Sequence, residues 1–281
     1  MPVETIMNDD EILADSGFFW READGVKALV ARRLEAAGFV NGFSTRGGGV
    51  SEFPKDSLNL AGFNEDAREN IYENRRRFLR LFPAEMKIAA VYQCHGSAVK
   101  TIEADEDVTD SDTSADAMIS RLKGVLLGVK TADCVPVLVA DPASGAFAAI
   151  HAGWRGTVAS IVANAVGKMQ EKFGAEPNGM IAAIGPAASV RQYEIGEDVI
   201  EAFGKNFADA EKYFVPTRPG HARIDLHAAN RDQLIDCGVD AANISIAPFC
   251  TMERTDLFFS YRREKQLYGK TGRLLSVIGR A

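Results

Sequence analysis

The chain has 281 residues, is 46% hydrophobic and carries a formal net charge of −7. That length and apolar content suffice for one large core or two small ones. An acidic chain without a long basic block argues against binding to nucleic acid or to an anionic membrane.

Residues 1–15 carry Glu4, Asp9, Asp10, Glu11 and Asp15 and lack the basic start and apolar stretch of a signal peptide. No segment approaches the ~18 apolar residues of a membrane span. A cytoplasmic protein is expected, built as one domain over 1–281 with 1–25 a peripheral segment. Residues 1–20 read as irregular. Residues 26–37 (VKALVARRLEAA) read as a short amphipathic helix, with Gly38 as its stop. Residues 39–44 are strand-like. Thr45 to Ser51, with three consecutive glycines, reads as a flexible turn, open to ligand approach or simply a surface loop.

Residues 64–82 read as a helix that Asn64 could cap and Pro83 would end; Ala67, Ile71, Phe78 and Phe82 fall near one face. The cluster Arg75-Arg76-Arg77, flanked by Glu73, suits a solvated helix face. A strand over 88–92 delivers Gln93-Cys94-His95-Gly96. Residues 103–116 form an acidic, Thr/Ser-rich loop. Apolar β-rich runs at 125–129 and 135–139 bracket Thr131-Ala132-Asp133-Cys134, and a strand over 147–150 ends at His151. Over 157–173 apolar residues recur at helical spacing. Residues 180–184 and 244–247 read as strands. Residues 197–203 and 226–237 read as helices, the second capped by Asp225, and 274–278 read as a final strand. Strands and helices mix without strict βαβ alternation, so a layered α+β domain is expected rather than a Rossmann sheet.

The chain has four histidines and four cysteines. Cys94, Cys134, Cys237 and Cys250 show no CxxC pairing, which fits reduced thiols better than a disulfide framework or an all-thiolate zinc site. His95, Cys134 and His151 each stand near the end of a strand-like segment. Two imidazoles and a thiolate are good zinc donors, and three ligands leave one position open, as in catalytic sites. The bland reading is a satisfied core histidine and a buried apolar cysteine. Context favours the site: Asp133 precedes Cys134 and could orient a ligand. His151 opens His-Ala-Gly-Trp-Arg-Gly, where Arg155 beside a helix start offers an anion site. A Cys134–His151 nucleophile pair is the alternative for the same residues, but it leaves His95 idle.

Arg46, Arg155, Arg262 and Arg263 are suited to an anion such as phosphate, although a surface salt bridge is the ordinary use of each. Trp154 and Tyr261 could stack on a planar base or simply pack. His221 and His227 read as surface residues and Cys237 as core. Strand alternation turns Cys94 away from the side His95 faces.

Several motifs carry a resemblance. They are Phe43-Ser44-Thr45-Arg46 with Gly48-Gly49-Val50-Ser51, Ser57-Leu58-Asn59-Leu60, Gln93-Cys94-His95-Gly96, Ala115-Asp116-Ala117, Thr131-Ala132-Asp133-Cys134-Val135-Pro136 and His151-Ala152-Gly153-Trp154-Arg155-Gly156. Ile184-Gly185-Pro186 with Tyr193-Glu194, Asp225-Leu226 with Asn230, Cys250-Thr251, and Phe259-Ser260-Tyr261-Arg262-Arg263 with Gly272-Arg273 follow. In this order they resemble the YfiH-like family, long labelled laccase-domain or multicopper polyphenol oxidase proteins and later assigned as purine nucleoside phosphorylases. The likeness runs from about residue 40 to 280.

The resemblance implies a single α/β/β/α layered sandwich with mixed sheets. It implies a zinc site, with copper as the alternative ion, at His95, Cys134 and His151. It implies phosphorolysis of adenosine, inosine and methylthioadenosine, with adenosine deaminase activity besides. Substrate and phosphate contacts are then expected from Arg46, Asn59, Arg155, Tyr261 and Arg262. The family often has Val where this chain has Cys94, which puts a second thiol beside a ligand. Two other functions stay open: an editing hydrolase or amidase for peptidoglycan precursors using the same Cys–His or metal site, and a non-catalytic metal or nucleotide binder. A mononuclear plus a trinuclear copper centre would need more imidazoles than four histidines supply, so laccase chemistry is not expected.

Overall fold

Side-chain alternation along the strands sets the layering. The computed structural model describes residues 8–61, 66–82 and 85–281. In strand Val135–Ala140, Leu138 and Ala140 face one core while Val137 and Val139 face another. In strand Val125–Thr131, Leu127 and Val129 join Leu138, while Leu126 points the opposite way. A strand apolar on both faces must be covered on both, so two sheets stack and helices close the outside.

The larger sheet has seven strands, in the order Phe18–Ala23, Val26–Ala31, Val40–Ser44, Leu274–Arg280, Val125–Thr131, Lys87–Tyr92 and Asp110–Ser114. The second has six, in the order Ile244–Ile246, Ile181–Ile184, Val135–Ala140, Phe147–Ala152, Ala117–Ser120 and Val99–Ile102. Both mix parallel and antiparallel pairs. Phe43, Val129, Met118, Phe147 and Ala183 pack between them. Helix Arg68–Leu79 covers the outer face of the larger sheet, with Phe78 against Leu126, Leu275 and Val277. Helices Ile161–Phe173 and Leu226–Asp236 cover the second sheet, with Ile161, Val166, Met169 and Leu234 on Val137, Val139 and Ile150. Each such fully buried aliphatic contributes ~1.5–3 kcal/mol. The result is the expected α/β/β/α sandwich. Among the described residues no helix is long and apolar enough to cross a membrane.

Several local expectations are corrected. Residues 9–16 are a helix, with Asn8 accepting from the Glu11 amide, and Phe18–Ala23 is an edge strand, so the part of 1–20 that is described is not irregular. Residues 26–37 are mostly strand. Asp24 and Gly25, both with positive φ (52° and 77°), make a two-residue hairpin turn that pairs Val26–Ala31 with Phe18–Ala23. Only Arg32–Ala36 is helical, and Gly38 closes it in the left-handed region.

Within the expected turn, Gly47–Ser51 is a short strand bridged to Ser57. A Cβ on Gly49 would sit 2.0 Å from the Ser57 carbonyl oxygen, so this glycine serves chain-to-chain contact. Asn64 and Pro83 lie outside the described residues; the helix they were expected to bound runs from Arg68 to Leu79. The acidic loop contains strand Asp110–Ser114. The helical pattern over 157–173 is two helices, Trp154–Val158 and Ile161–Phe173, broken where Ser160 takes φ 58°. Helix Tyr261–Tyr268, capped by Ser260, had no counterpart in the pattern reading.

The sheets are joined by three crossings at one end. The chain leaves the larger sheet after Tyr92, Ser114 and Thr131 and enters the other at Val99, Ala117 and Val135. The Ala115 amide donates to the Tyr92 carbonyl and the Asp116 amide to the Ala98 carbonyl, which holds two of the crossings together.

Asn74 ties the outer helix to the glycine-rich strand. It is fully buried, accepts from the Val50 amide at 2.9 Å, and donates to Ser51 Oγ and to the Asn59 carbonyl. Asn74→Ala would strand these groups without water. Destabilisation of about 3 kcal/mol is expected in urea unfolding; a loss within error would show that the network carries no net stability.

Candidate metal centre

The three crossings carry the reactive residues. Gln93 exchanges two hydrogen bonds with the Lys130 backbone, at 2.7 and 2.8 Å, and so clamps the first crossing to the strand that feeds the third. His95 then turns through positive φ (61°). The amides of Cys94, His95 and Gly96 all donate to the carboxylate of Asp116, at 3.2, 2.9 and 2.7 Å. His151 comes from strand Phe147–Ala152 rather than from its end, opposite Pro136. Its amide donates to the Asp116 carbonyl at 2.7 Å, and its Nδ1 lies 2.8 Å from Asp116 Oδ1. With Nδ1–H bound to the carboxylate, Nε2 faces the site and offers a lone pair once the ring gives up its second proton, as metal binding requires.

Cys134 ends the third crossing. Asp133 before it has φ 85° and a half-buried carboxylate. That carboxylate accepts from Thr251 Oγ1 at 2.6 Å, Ser260 Oγ at 3.0 Å and the Arg262 amide at 2.7 Å. The turn is thereby locked to the start of helix Tyr261–Tyr268. One ligand atom each from His95, Cys134 and His151 lies within 4.8 Å of the others. Cys134 Sγ is 3.9 Å from His95 Nε2, and the imidazoles meet edge to face at 4.9 Å. His151 is buried, Cys134 half-buried and His95 exposed, so the cluster opens towards solvent at His95. A Cβ on Gly153 would come within 3.0 Å of His95 Cδ2 and 3.1 Å of Cys134 Sγ, so any larger residue there would push on both side chains.

The charges are coupled. Burial pushes the Asp116 carboxyl up, but the His151 hydrogen bond and the Gly96 amide outweigh it and hold it at about 2. Burial pushes the Cys134 thiol up, yet the neighbouring His151 charge and bonds from both histidines bring it to about 6. Burial pushes His151 down, but the Cys134 thiolate and Asp116 raise it to about 9. Two imidazole nitrogens and an ionised thiolate form a donor set that fits a metal ion, with His151 oriented by a carboxylate.

The other expected contacts are spread more widely. Arg262 is tied to the Cys134 turn through Asp133, donates to the Glu194 carbonyl, and lies 4.9 Å over the Tyr193 ring. Tyr261 starts the same helix and is exposed. Arg155 is exposed and stacks on Trp154 at 4.2 Å. Arg46 is ion-paired with Glu264 at 2.7 Å, donates to the carbonyls of Thr255 and Phe258, and lines an open cleft of about 800 Å³ that contains none of the three cluster residues. Asn59 is buried and accepts from the Arg273 and Ala61 amides.

His227, read as a surface residue, is buried with Nε2 3.2 Å from the Gly185 carbonyl oxygen. Cys94 is exposed, with Sγ 3.3 Å from Asp116 Oδ2, and stands outside the cluster. Cys237, expected in the core, is half-buried. Asp116 and Gly153 carry roles that were not assigned from the sequence. An acidic residue between two alanines at a strand start was the available signal for Asp116.

The pair titrates in opposite senses. The Cys134 thiolate forms above about 6 and the His151 imidazolium persists to about 9, so both charges coexist between. Their attraction is lost below that window as the thiolate protonates, and above it as the imidazolium deprotonates. Thiolate absorbance at 240 nm in chelator-treated protein should rise near pH 6 and lose that step in Cys134→Ala. The Asp116 hydrogen bond and burial raise the Cys94 thiol, so Cys94 contributes only at higher pH. A single step above pH 8 in the native chain would disprove the pairing.

Comparison with known proteins places this geometry. The family model described as "Multi-copper polyphenol oxidoreductase laccase" matches residues 40–281. A Deinococcus radiodurans protein named purine nucleoside phosphorylase is 39% identical over 259 residues, 92% of this chain and 94% of its own. A Bacteroides thetaiotaomicron protein of the same name is 38% identical over 244 residues, 84% of this chain and 89% of its own. The crystal structure of YlmD from Geobacillus stearothermophilus matches with a TM-score of 0.85 at 33% identity, over 94% of this chain and 98% of that one. The chain therefore belongs to this YfiH-like laccase-domain family.

Proposed function

We propose that the protein is a cytoplasmic, zinc-dependent purine nucleoside phosphorylase acting on adenosine, inosine and methylthioadenosine, with adenosine deaminase activity at the same centre. The His95–Cys134–His151 cluster with its buried Asp116 carries the reading, and relatives named purine nucleoside phosphorylase support it. The donor set suits zinc, with copper as the alternative ion. Bound there with an open position, zinc would supply Lewis acidity.

The chain's own residues do the rest. Asp116 holds the His151 Nδ1 proton and keeps Nε2 free of it. Asp133 fixes the Cys134 turn and the Arg262 backbone together. Arg262 and Arg155 are assigned to phosphate, and the exposed Tyr261 ring to the base. Arg46 and Asn59 support these contacts, Arg46 by anchoring the helix of Tyr261 and Arg262 through Glu264, and Asn59 by holding the Arg273 backbone. The thiolate–imidazolium pair favours a second reading, in which Cys134 attacks an amide of a peptidoglycan precursor.

Purified protein given adenosine and phosphate should release adenine and ribose 1-phosphate, and inosine should form without phosphate. If neither adenine nor inosine appears, while serine is released from a mis-loaded muropeptide, the second reading replaces the first. Cys134→Ala should abolish stoichiometric zinc binding; unchanged binding removes Cys134 as a ligand. Asp116→Asn should lower zinc affinity about 10–100-fold, read by chelator competition; native affinity would remove Asp116 from the support of the site.

A further inference from the structure

Asp116 supports the centre from the side of the sheet crossings. A second support reaches it from the helical layer. A Cβ on Gly153 would stand 3.0 Å from His95 Cδ2 and 3.1 Å from Cys134 Sγ, so the backbone of Gly153 borders both side chains tightly. Where Gly153 sits therefore bounds where the His95 ring and the Cys134 sulfur can sit. Its carbonyl accepts from the Thr157 amide at 2.9 Å and from Thr157 Oγ1 at 3.1 Å. Thr157 Oγ1 in turn accepts from Asn230 Nδ2 at 3.1 Å, and the same amide donates to the Leu226 carbonyl at 2.8 Å. Gln233 Nε2 donates to the Thr157 carbonyl at 2.7 Å. Thr157 and Asn230 are fully buried, and Gln233 nearly so.

We infer that Asn230 and Thr157 are positioning residues for the centre, fixing Gly153, and through it His95 and Cys134, from helix Leu226–Asp236. This rests on the proposed metal site. A general tie between helices would leave the network pointing anywhere in the 154–158 helix. Instead its end is the Gly153 backbone, which borders both His95 and Cys134. Buried polar chains of this kind hold a single arrangement, because breaking one bond strands its partner without water. A shift of Gly153 towards the cluster narrows the space left to the His95 ring and the Cys134 sulfur, which lie only 3.0 and 3.1 Å from where a Cβ would stand.

The test compares Thr157→Val, which keeps shape and loses the hydroxyl, with Thr157→Ser, which keeps the hydroxyl; Asn230→Ala is the companion. Two signals are read: the visible spectrum of the cobalt-loaded protein, and the His95 ring resonances of the chelator-treated protein. Urea unfolding is measured alongside. Thr157→Val and Asn230→Ala should shift the His95 resonances, alter the cobalt bands and weaken cobalt binding about 10–100-fold. Thr157→Ser should match the native protein in all three. If Thr157→Val loses stability while cobalt spectrum, affinity and His95 resonances stay native, the network is structural only and the inference falls. If the native protein takes up no cobalt or zinc, the metal reading fails separately. The His95 resonances then decide the inference alone: shifted by Val and restored by Ser upholds it, unmoved by Val overturns it. If Asn230→Ala does not fold, the Thr157 pair carries the same decision.

Discussion

The buried carboxylate of Asp116 is the constraint on which the site depends. A charge at 0% exposure is costly unless it is fully hydrogen-bonded. Here three consecutive amides and one imidazole satisfy it. The same bonds do two jobs. They force residues 94–96 into a tight turn that presents His95, and they fix the proton of His151 on Nδ1. Two residues of the cluster are thus oriented by one side chain.

That carboxylate is in place because of the fold's layering. Two stacked sheets require the chain to pass between them, and here three passages fall at one end. Each passage delivers one element: His95, then Asp116, then Cys134. His151 arrives on a strand hydrogen-bonded to the one that follows Cys134. Residues remote in sequence are therefore neighbours for a topological reason. The sandwich core supplies the rigidity, and the crossings, free of ladder pairing, supply the unusual backbone. Positive φ at His95 and Asp133 is strain that regular strands would not accept.

Much of this was legible in the sequence, though unevenly. The apolar spacing of 161–173 and the runs at 125–129 and 135–139 determine their elements, because burial on a defined face leaves little choice. Residues 26–37 misled because an apolar run with alanines satisfies both periods; the Asp24-Gly25 turn, which decides for the strand, lies just before it. Helix Tyr261–Tyr268 was invisible to hydrophobic patterning because it is polar, with Glu264 its one buried residue. The three cluster residues were found by donor chemistry and motif order. Asp116 stands in a motif whose pattern does not reveal its role, because that role rests on three backbone amides and a ring nitrogen remote in sequence. His227 looked like a loop residue, yet the start of its helix is buried under the Gly185 turn.

The family description speaks of several coppers, whereas the donor set here argues for one ion. Only His95 and His151 of the four histidines share a site. His227 is buried against the Gly185 carbonyl, and His221 Nδ1 lies 3.1 Å from the Pro219 carbonyl oxygen. Two imidazoles and a thiolate hold one ion well, and a multinuclear copper cluster needs imidazoles this chain does not have. What the architecture does supply is asymmetry. One ligand, His151, is buried and oriented by a carboxylate, while another, His95, faces solvent. Such an asymmetric cluster, if it holds an ion, leaves it one open face, as the proposed group transfer would require.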